Sequence, residues 1–526
     1  MIVSKKHKAL VMRLRDPNRV LQVIPAAKLI EHEGKQFVAV RHGPHETRVL
    51  RNIGIDAPSP MLYHYSWPGR FTPFSAQRSV ASFLSLNPRA FNLSGMGTGK
   101  TLGTLWAYDY LREWGALHRA LVVTPLSTLE RTWADEIFQH FPHLNAAVLH
   151  GTRTQRLKLL ATEQDLYLIN HDGIKVPGIV DALAERPDID LLIIDEIAQI
   201  GRKAGTDRFK ALDKIANRQS AREIWGLTGT PTPNAPTDAW AQCRIVSPER
   251  VSPYFNRFRD SVMRQISMYS WIPRQNAVEI VQQAMQPAIR FSIDECVDLP
   301  PAIFQVREAE LTAPQKAAYK DMMNKLVAEM ADGQILAVNE AVKAQKLLQI
   351  ACGVAYGPGG EALEVDATPR LKVVQEAVEQ SGTKVIVFVP FVASVHTVAQ
   401  YLRDQGNTVE CIYGEVSKSE RDRIFHAFQK LDDPRVLVAQ PGAMSHGLTL
   451  TAASTIVWYA PIASNDIFEQ ANARITRPGQ KHTQLIVMIE GSIIERKYYQ
   501  RLKERQKVQG LLLELVQGLR EEEVAA

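Results

Sequence analysis

Two short segments hold residues whose types and spacing suit phosphate chemistry. The first, Ser94-Gly-Met-Gly-Thr-Gly-Lys100-Thr101, follows the G-x-x-x-x-G-K-[ST] phosphate-binding loop, with Ser94 where the first glycine usually stands. Gly97 and Gly99 let the backbone approach anionic oxygen. The amides of the run, Gly95, Thr98 and Gly99 among them, can then meet phosphates at the start of the helical pattern LGTLWAYDYLREW. Lys100 supplies a positive charge to β and γ phosphates, and Thr101 a hydroxyl for Mg2+. The bland alternative is a glycine-rich turn, which the strand-loop-helix setting disfavours. The second segment runs Leu191-Leu-Ile-Ile-Asp195-Glu196. A buried strand ending in two carboxylates places them at the sheet edge, where Asp195 can hold Mg2+ and Glu196 can polarise an attacking water. Alone, such a pair is better read as surface acids; with the loop upstream, the catalytic reading is favoured.

These groups need a sheet to carry them. From about residue 66 to 245, short apolar runs (ALVVTP, AAVLH, DLYLIN, DLLIID, REIWGLTG) alternate with helix-like stretches. That rhythm predicts a parallel sheet wrapped by helices, with ligands at the carboxyl ends of the strands. A second such block, from about 365 to 495, contains KVIVFVP, TVECIYG, RVLVAQ, TIVWYA and QLIVMIE. Residues 1 to about 62 alternate apolar and polar positions in short runs, with EGK as a hairpin turn, and predict a small β-rich domain. The region between the two blocks reads as helix-rich, and RKYYQRLKERQK near the end as an amphipathic helix.

With 526 residues the chain has room for three to four folding units. Its 45% hydrophobic and 22% charged residues are ordinary for a globular protein with several cores. The net charge of +6 is compatible with a polyanionic partner and far from diagnostic. Cys243, Cys296, Cys352 and Cys411 lack metal or redox spacing and read as thiols in a reducing compartment. No apolar run of about 18 residues occurs, so no membrane span is expected. The expected location is cytoplasmic, or nuclear in a eukaryotic host.

The order of further segments, over roughly residues 70 to 495, resembles superfamily 2 helicases and, more narrowly, the Snf2-like DNA translocases. PFSAQRSVASFL is similar to the family's Q-motif region, which implies that Gln77 reads adenine, with Phe74 helping to position the base. LVVTPLSTLERTWADEI resembles the motif that grips a nucleic-acid backbone, with Thr124, Ser127 and Trp133 at matching positions. Thr228-Gly229-Thr230-Pro231-x-x-Asn234 matches the motif that couples the nucleotide site to the track. DLPPAIFQVREAELTAPQKAAYK and TPRLKVV resemble the Snf2 segments between the lobes and at the start of the second. KVIVFVPF, IYGEVSKSERDRIFHAF and QPGAMSHGLTLTAASTIVWY follow in family order, and the last brings Gly447 to a coupling position. Gln470-Ala-Asn-Ala-Arg474-Ile-Thr-Arg477-Pro-Gly-Gln480 looks like the family's last motif. Two arginines three apart share one helix face, and either guanidinium can stabilise charge developing on a transferred phosphoryl group.

This sequence also departs from the family pattern. Ala198 stands where the family has a histidine that couples hydrolysis to nucleic acid. Met444 and Ser445 replace paired glycines, Thr449 a common Asn, Ala473 an Asp and Thr476 a His. The lysine, both carboxylates and both arginines remain, so hydrolysis is expected to persist. The absence of long insertions in either lobe resembles compact virus-encoded members.

The resemblance implies an α/β protein of two RecA-like parallel-sheet lobes flanking a nucleotide cleft. Its expected parts are a β-rich accessory domain (1–65), lobe one (66–248), a helical inter-lobe region (249–364), lobe two (365–495) and a C-terminal helix (496–526). The implied activity is Mg2+-dependent ATP hydrolysis that drives movement along DNA. Translocation on double-stranded DNA is the first choice and strand separation the second, with single-stranded DNA as a further partner, since no wedge or pin for parting strands is visible in the sequence. Two rivals are an ATP-gated binding protein with weak turnover, and a remodeller whose N-terminal domain grips a protein partner or anneals strands.

Overall fold

A computed structural model of the chain describes residues 1–201, 205–217, 223–267, 270–296, 302–331, 337–356, 362–444, 449–477 and 480–504. Alternating polarity builds an antiparallel sheet first: β1 (Ile2–Ser4), β2 (Ala9–Met12), β3 (Lys28–His32) and β4 (Lys35–Arg41), in the order β1-β2-β4-β3. Glu33 and Gly34 both take positive φ, which matches the right-handed twist of the β3–β4 hairpin. Leu10, Met12, Val38 and Val40 form the inner face, covered by Val20, Ile24 and Leu50.

The first parallel sheet uses β5 (Arg89–Asn92), β6 (Arg119–Thr124), β7 (Ala146–Val148), β8 (Leu166–Asn170), β9 (Ile189–Asp195) and β10 (Glu223–Leu227). A two-stranded hairpin follows, β11 (Met263–Ser267) and β12 (Ser270–Pro273), and then a short β13 (Ala288–Ile289). The sheet order is β13-β5-β10-β9-β6-β8-β7, parallel throughout. Its strands are apolar in unbroken runs because both faces are covered. Leu192 and Ile194 of β9 enter one core, Leu191 and Ile193 the other.

The second parallel sheet begins with β14 (Ile303–Glu308). A small ribbon of β15 (Val354–Tyr356) and β16 (Ala362–Glu364) intervenes before β17 (Lys384–Phe388), β18 (Val409–Ile412), β19 (Val436–Ala439), β20 (Ala453–Trp458) and β21 (Leu485–Glu490). The order β14-β21-β20-β17-β19-β18 is again parallel. Val385 and Val387 face one core, Ile386 and Phe388 the other. The chain divides into two compact units, Met1–Asp298 and Leu299–Ala526.

The region expected to be a helical spacer does contain the helices Phe255–Val262, Ala277–Ala284, Ala313–Ala331 and Ala337–Ala351. It also gives one strand to each sheet, β13 beside β5 and β14 beside β21. In the second unit, Arg370 and Glu495 form a buried pair at 2.8 Å. Arg370 also donates to the carbonyl of Tyr459, and Glu495 accepts from Gly491 N and Ser492 Oγ, each at 2.9 Å. This network ties the helix Thr368–Gln380 to the end of β20 and to the helix Ile493–Lys503. No helix among the described residues is long and apolar enough to cross a membrane.

Candidate active site

Register brings four strand ends into one row. Asn92 of β5 stands opposite Leu227 of β10, Leu227 opposite Asp195 of β9, and Val123 of β6 opposite Ile194. The segments leaving that row are the glycine-rich loop after β5, Thr228 after β10, Glu196 after β9 and Pro125 after β6. This is the carboxyl edge of a parallel sheet, where its crossovers leave room for a ligand.

The loop from Leu93 to Gly99 leads into the helix Lys100–Glu113. Gly97 and Gly99 have φ of 81° and 76°, a conformation that a Cβ would strain. Lys100 Nζ donates to the carbonyls of Ser94 at 2.9 Å and Gly95 at 3.1 Å, and Thr98 Oγ1 to Gly95 O at 2.9 Å. The loop is therefore curled around its own lysine. Gln77, buried in the helix Ser75–Leu86, lies against it: a Cβ on Gly99 would come within 2.1 Å of Gln77 Nε2. Gln77 Oε1 accepts from Phe74 N at 2.9 Å, which fixes the side-chain amide over the loop. Gly229 closes the loop from the β10 side, since a Cβ there would stand 3.7 Å from Lys100 Nζ. Thr101 opens the helix at the same edge and is half-buried.

Asp195 is buried and its carboxylate is fully directed. Oδ2 accepts from Thr124 Oγ1 and Trp133 Nε1, both at 2.9 Å, and Oδ1 from Glu196 N at 3.1 Å. His171, just after β8, meets the Asp195 carbonyl at 2.9 Å through Nε2. A carbonyl only accepts, so Nε2 carries the proton, and burial lowers the imidazole pKa to about 4, keeping the ring neutral. Glu196 adopts a left-handed backbone (φ 48°), rare for a non-glycine residue, at the turn from β9 into the short helix Ile197–Ile200. Thr228 Oγ1 reaches Glu196 Oε2 at 3.4 Å and accepts from Thr230 N at 3.3 Å. Ala198 is buried in that short helix.

Gln77, the glycine loop, Lys100, Asp195, Glu196 and Thr228 are thus gathered at one edge of one sheet. The expectation that Thr124 and Trp133 lie against a nucleic-acid backbone needs correction. Both are fully buried and spend their polar hydrogens on Asp195, so they position the carboxylate instead. Ser127 is exposed and Thr230 half-buried, while Gly447 lies outside the described residues. His171 escaped the sequence reading; a histidine directly after the apolar run LYLIN was the available signal. The hairpin β11–β12 also went unread. It carries Arg264 and a largely exposed Ile266, with the Arg259 guanidinium 4.1 Å above the Trp271 ring.

In the second unit, the helix Asn465–Asn472 presents Gln470, buried, with no partner for its Oε1 among the described residues. Arg474 and Arg477 do not share a helix face as expected, because the helix ends at Asn472. Arg474 N turns back to Ala471 O at 3.2 Å and Thr476 Oγ1 caps Asn472 O at 3.3 Å, while Pro478 opposes helical continuation at the residue before it. Arg474 is buried, and its carbonyl accepts from Leu450 N at 3.0 Å. Arg477 is half-buried, with Nε donating to Ala473 O at 3.0 Å.

Comparison with known proteins matches residues 93–353 to the family described as SNF2-related domain and residues 369–479 to the helicase conserved C-terminal domain. Protein p41 of Acyrthosiphon pisum secondary endosymbiont phage 1 is 26% identical, over 84% of this chain and 98% of that protein. The ISWI chromatin-remodeling complex ATPase CHR11 of Arabidopsis thaliana is 24% identical, over 80% of this chain and 40% of its own length. The chain thus spans nearly all of the phage protein and less than half of the plant one. Among solved structures, the Sulfolobus solfataricus SWI2/SNF2 ATPase core in complex with dsDNA is similar at a TM-score of 0.40 and 22% identity, covering 83% of this chain and 92% of that one.

Proposed function

We propose, from the premise that this chain belongs to the SNF2-related ATPases of helicase superfamily 2, that it hydrolyses ATP to move along double-stranded DNA. The observation that carries the reading is the chain of contacts at the sheet edge. Asp195 is held by Thr124 at the end of β6 and by Trp133 beyond it, and Glu196 is touched by Thr228 following β10, so events at the phosphates reach both segments.

ATP would lay its phosphates in the loop, where Lys100 exchanges its carbonyl partners for phosphate oxygen and the helix N-terminus adds its amides. Gln77, fixed over Gly99, would face the adenine. Thr101 and Asp195 offer the hard oxygen donors that suit Mg2+, and Asp195 is already oriented by three donors. Bound there, Mg2+ would neutralise charge on the β and γ phosphates. Glu196 would orient the attacking water. Gln470, Arg474 and Arg477 would approach the same triphosphate from lobe two, the arginines stabilising charge in the transition state. Closure on ATP and relaxation after hydrolysis would then shift two backbone grips in turn, with Ser127, Thr230 and Gly447 beside the track. Backbone grips predict little sequence preference and strong salt sensitivity.

The test is steady-state phosphate release without nucleic acid, with duplex and with single strands, beside Lys100→Ala as the inactive control. Duplex stimulation supports the motor; turnover indifferent to every nucleic acid refutes it. The hairpin β11–β12 favours a second reading, strand separation, because a β-hairpin with an exposed apolar side chain, here Ile266, can enter a fork. Displacement of a labelled strand from a forked duplex, absent with Lys100→Ala, would promote that reading over translocation alone.

A further inference from the structure

The N-terminal sheet has one face packed and one face open. Register places Ala9 opposite Arg41, Lys28 opposite Ala39, Ile30 opposite Phe37 and His32 opposite Lys35. These residues therefore share the face opposite the core of Leu10, Met12, Val38 and Val40. On that outer face Lys28, Lys35 and Arg41 are exposed and Phe37 is half-buried. No Asp or Glu stands on it in any of the four strands. Lys5 and Lys6, exposed in the β1–β2 turn, and Arg13 and Arg15, exposed after β2, add to the same domain. Among the described residues, none of Lys5, Lys6, Arg13, Arg15, Lys28 and Lys35 makes an ion pair. Residues 1–65 hold 11 of the 62 Lys and Arg but only 5 of the 56 Asp and Glu. Their balance of +6 equals the formal charge of the whole chain, so the other residues are neutral in sum.

The domain is fastened to the first parallel sheet's unit. Arg48 pairs with Glu223 at 2.7 Å and donates to Ser85 O at 2.8 Å, while the Arg41 guanidinium stacks 4.5 Å from the Trp114 ring. The charged face thus belongs to the same compact unit as the glycine loop.

We infer that the outer face of the N-terminal sheet is a second duplex-DNA grip, in which Lys28, Lys35 and the neighbouring cations meet the phosphate backbone. The occupant follows from charge complementarity. A face whose strands carry unpaired cations and no Asp or Glu, with Glu33 in the hairpin turn 3.9 Å from His32, suits a polyanion. From Arg41 to Lys35 the row spans about 20 Å at the usual strand rise, more than half of one turn of B-DNA, which is about 34–36 Å. Phosphate contact without base contact would add affinity and processivity and no sequence preference. The inference rests on the DNA reading above.

The test uses the full chain with Lys28→Ala/Lys35→Ala, and with Lys28→Glu/Lys35→Glu as a stronger variant. Both side chains are exposed and outside the nucleotide machinery, so the unfolding midpoint and DNA-free ATPase should match wild type. Duplex affinity is measured by fluorescence anisotropy across a salt series. Loss of two phosphate contacts should reduce the slope of log K against log salt by about 1.8, and charge reversal should weaken binding further. A wild-type slope and affinity in both variants overturns the inference and leaves the face to solvent or a protein partner. If wild type binds duplex with the predicted slope change but shows no stimulated turnover, the motor reading falls and the grip stands. If stimulation is normal and the slope is unchanged, only the grip falls.

Discussion

Arg370→Met removes the cation paired with a carboxylate that has no access to water. Glu495 is fully buried and would keep the donors Gly491 N and Ser492 Oγ but lose its paired cation. The Tyr459 carbonyl would lose its donor as well. Breaking one side of a buried pair costs about 3–5 kcal/mol, since the remaining charge stays desolvated. For a unit the size of Leu299–Ala526, each kcal/mol moves the midpoint by about 2–4 °C, so a fall of about 6–20 °C is expected. Differential scanning calorimetry measures it. Trp458, alone of the eight tryptophans in the second unit, assigns the affected transition by fluorescence. Arg370→Met/Glu495→Leu removes both charges and should recover most of the loss. A drop under about 3 °C for the single variant, or no recovery in the double, would refute the claim that this pair holds the helix Thr368–Gln380 to the end of β20.

Three further outcomes test the site. Gly99→Ala should cost about 1–2 kcal/mol for the left-handed backbone, and about 1 kcal/mol more for displacing Gln77 from Phe74 N. The second part vanishes in Gln77→Ala, so a double-mutant cycle by urea unfolding should give a coupling of about 1 kcal/mol, and strict additivity would separate Gln77 from the loop. Trp133→Phe keeps the ring but loses the hydrogen bond to Asp195; turnover should fall about 10–100-fold with duplex affinity unchanged. The reverse pattern, weaker DNA binding at normal turnover, would return Trp133 to the track. Arg477→Ala should retain nucleotide binding by fluorescent-analogue titration while turnover falls about 10³-fold or more, and near-normal turnover would remove the residue from the site.

Local chemistry made much of this protein legible from its residues. The loop from Ser94 to Thr101 needs glycine at positive φ and a lysine beside phosphate, both short-range requirements that leave a mark in the string. The unbroken apolar runs, such as Leu191–Ile194, declared parallel strands because two covered faces demand them. The 33–34 turn announced its hairpin by the same logic. Other features depend on residues far apart in the chain. Trp133 lies 62 positions from the Asp195 it orients, and His171 24 positions away, so neither role leaves a local pattern. The helix ending at Asn472 was misread because i, i+3 spacing does not reveal where carbonyl capping by Thr476 and the restriction before Pro478 outweigh helical propensity. Likewise the charge of residues 1–65 was countable at once, but its placement on one open face required the pairing of four strands. Residue types determined which chemistry was available, through backbone freedom, charge and apolar periodicity. Tertiary structure alone decided which groups meet, because strand order and register set the distances between residues that the chain itself holds far apart.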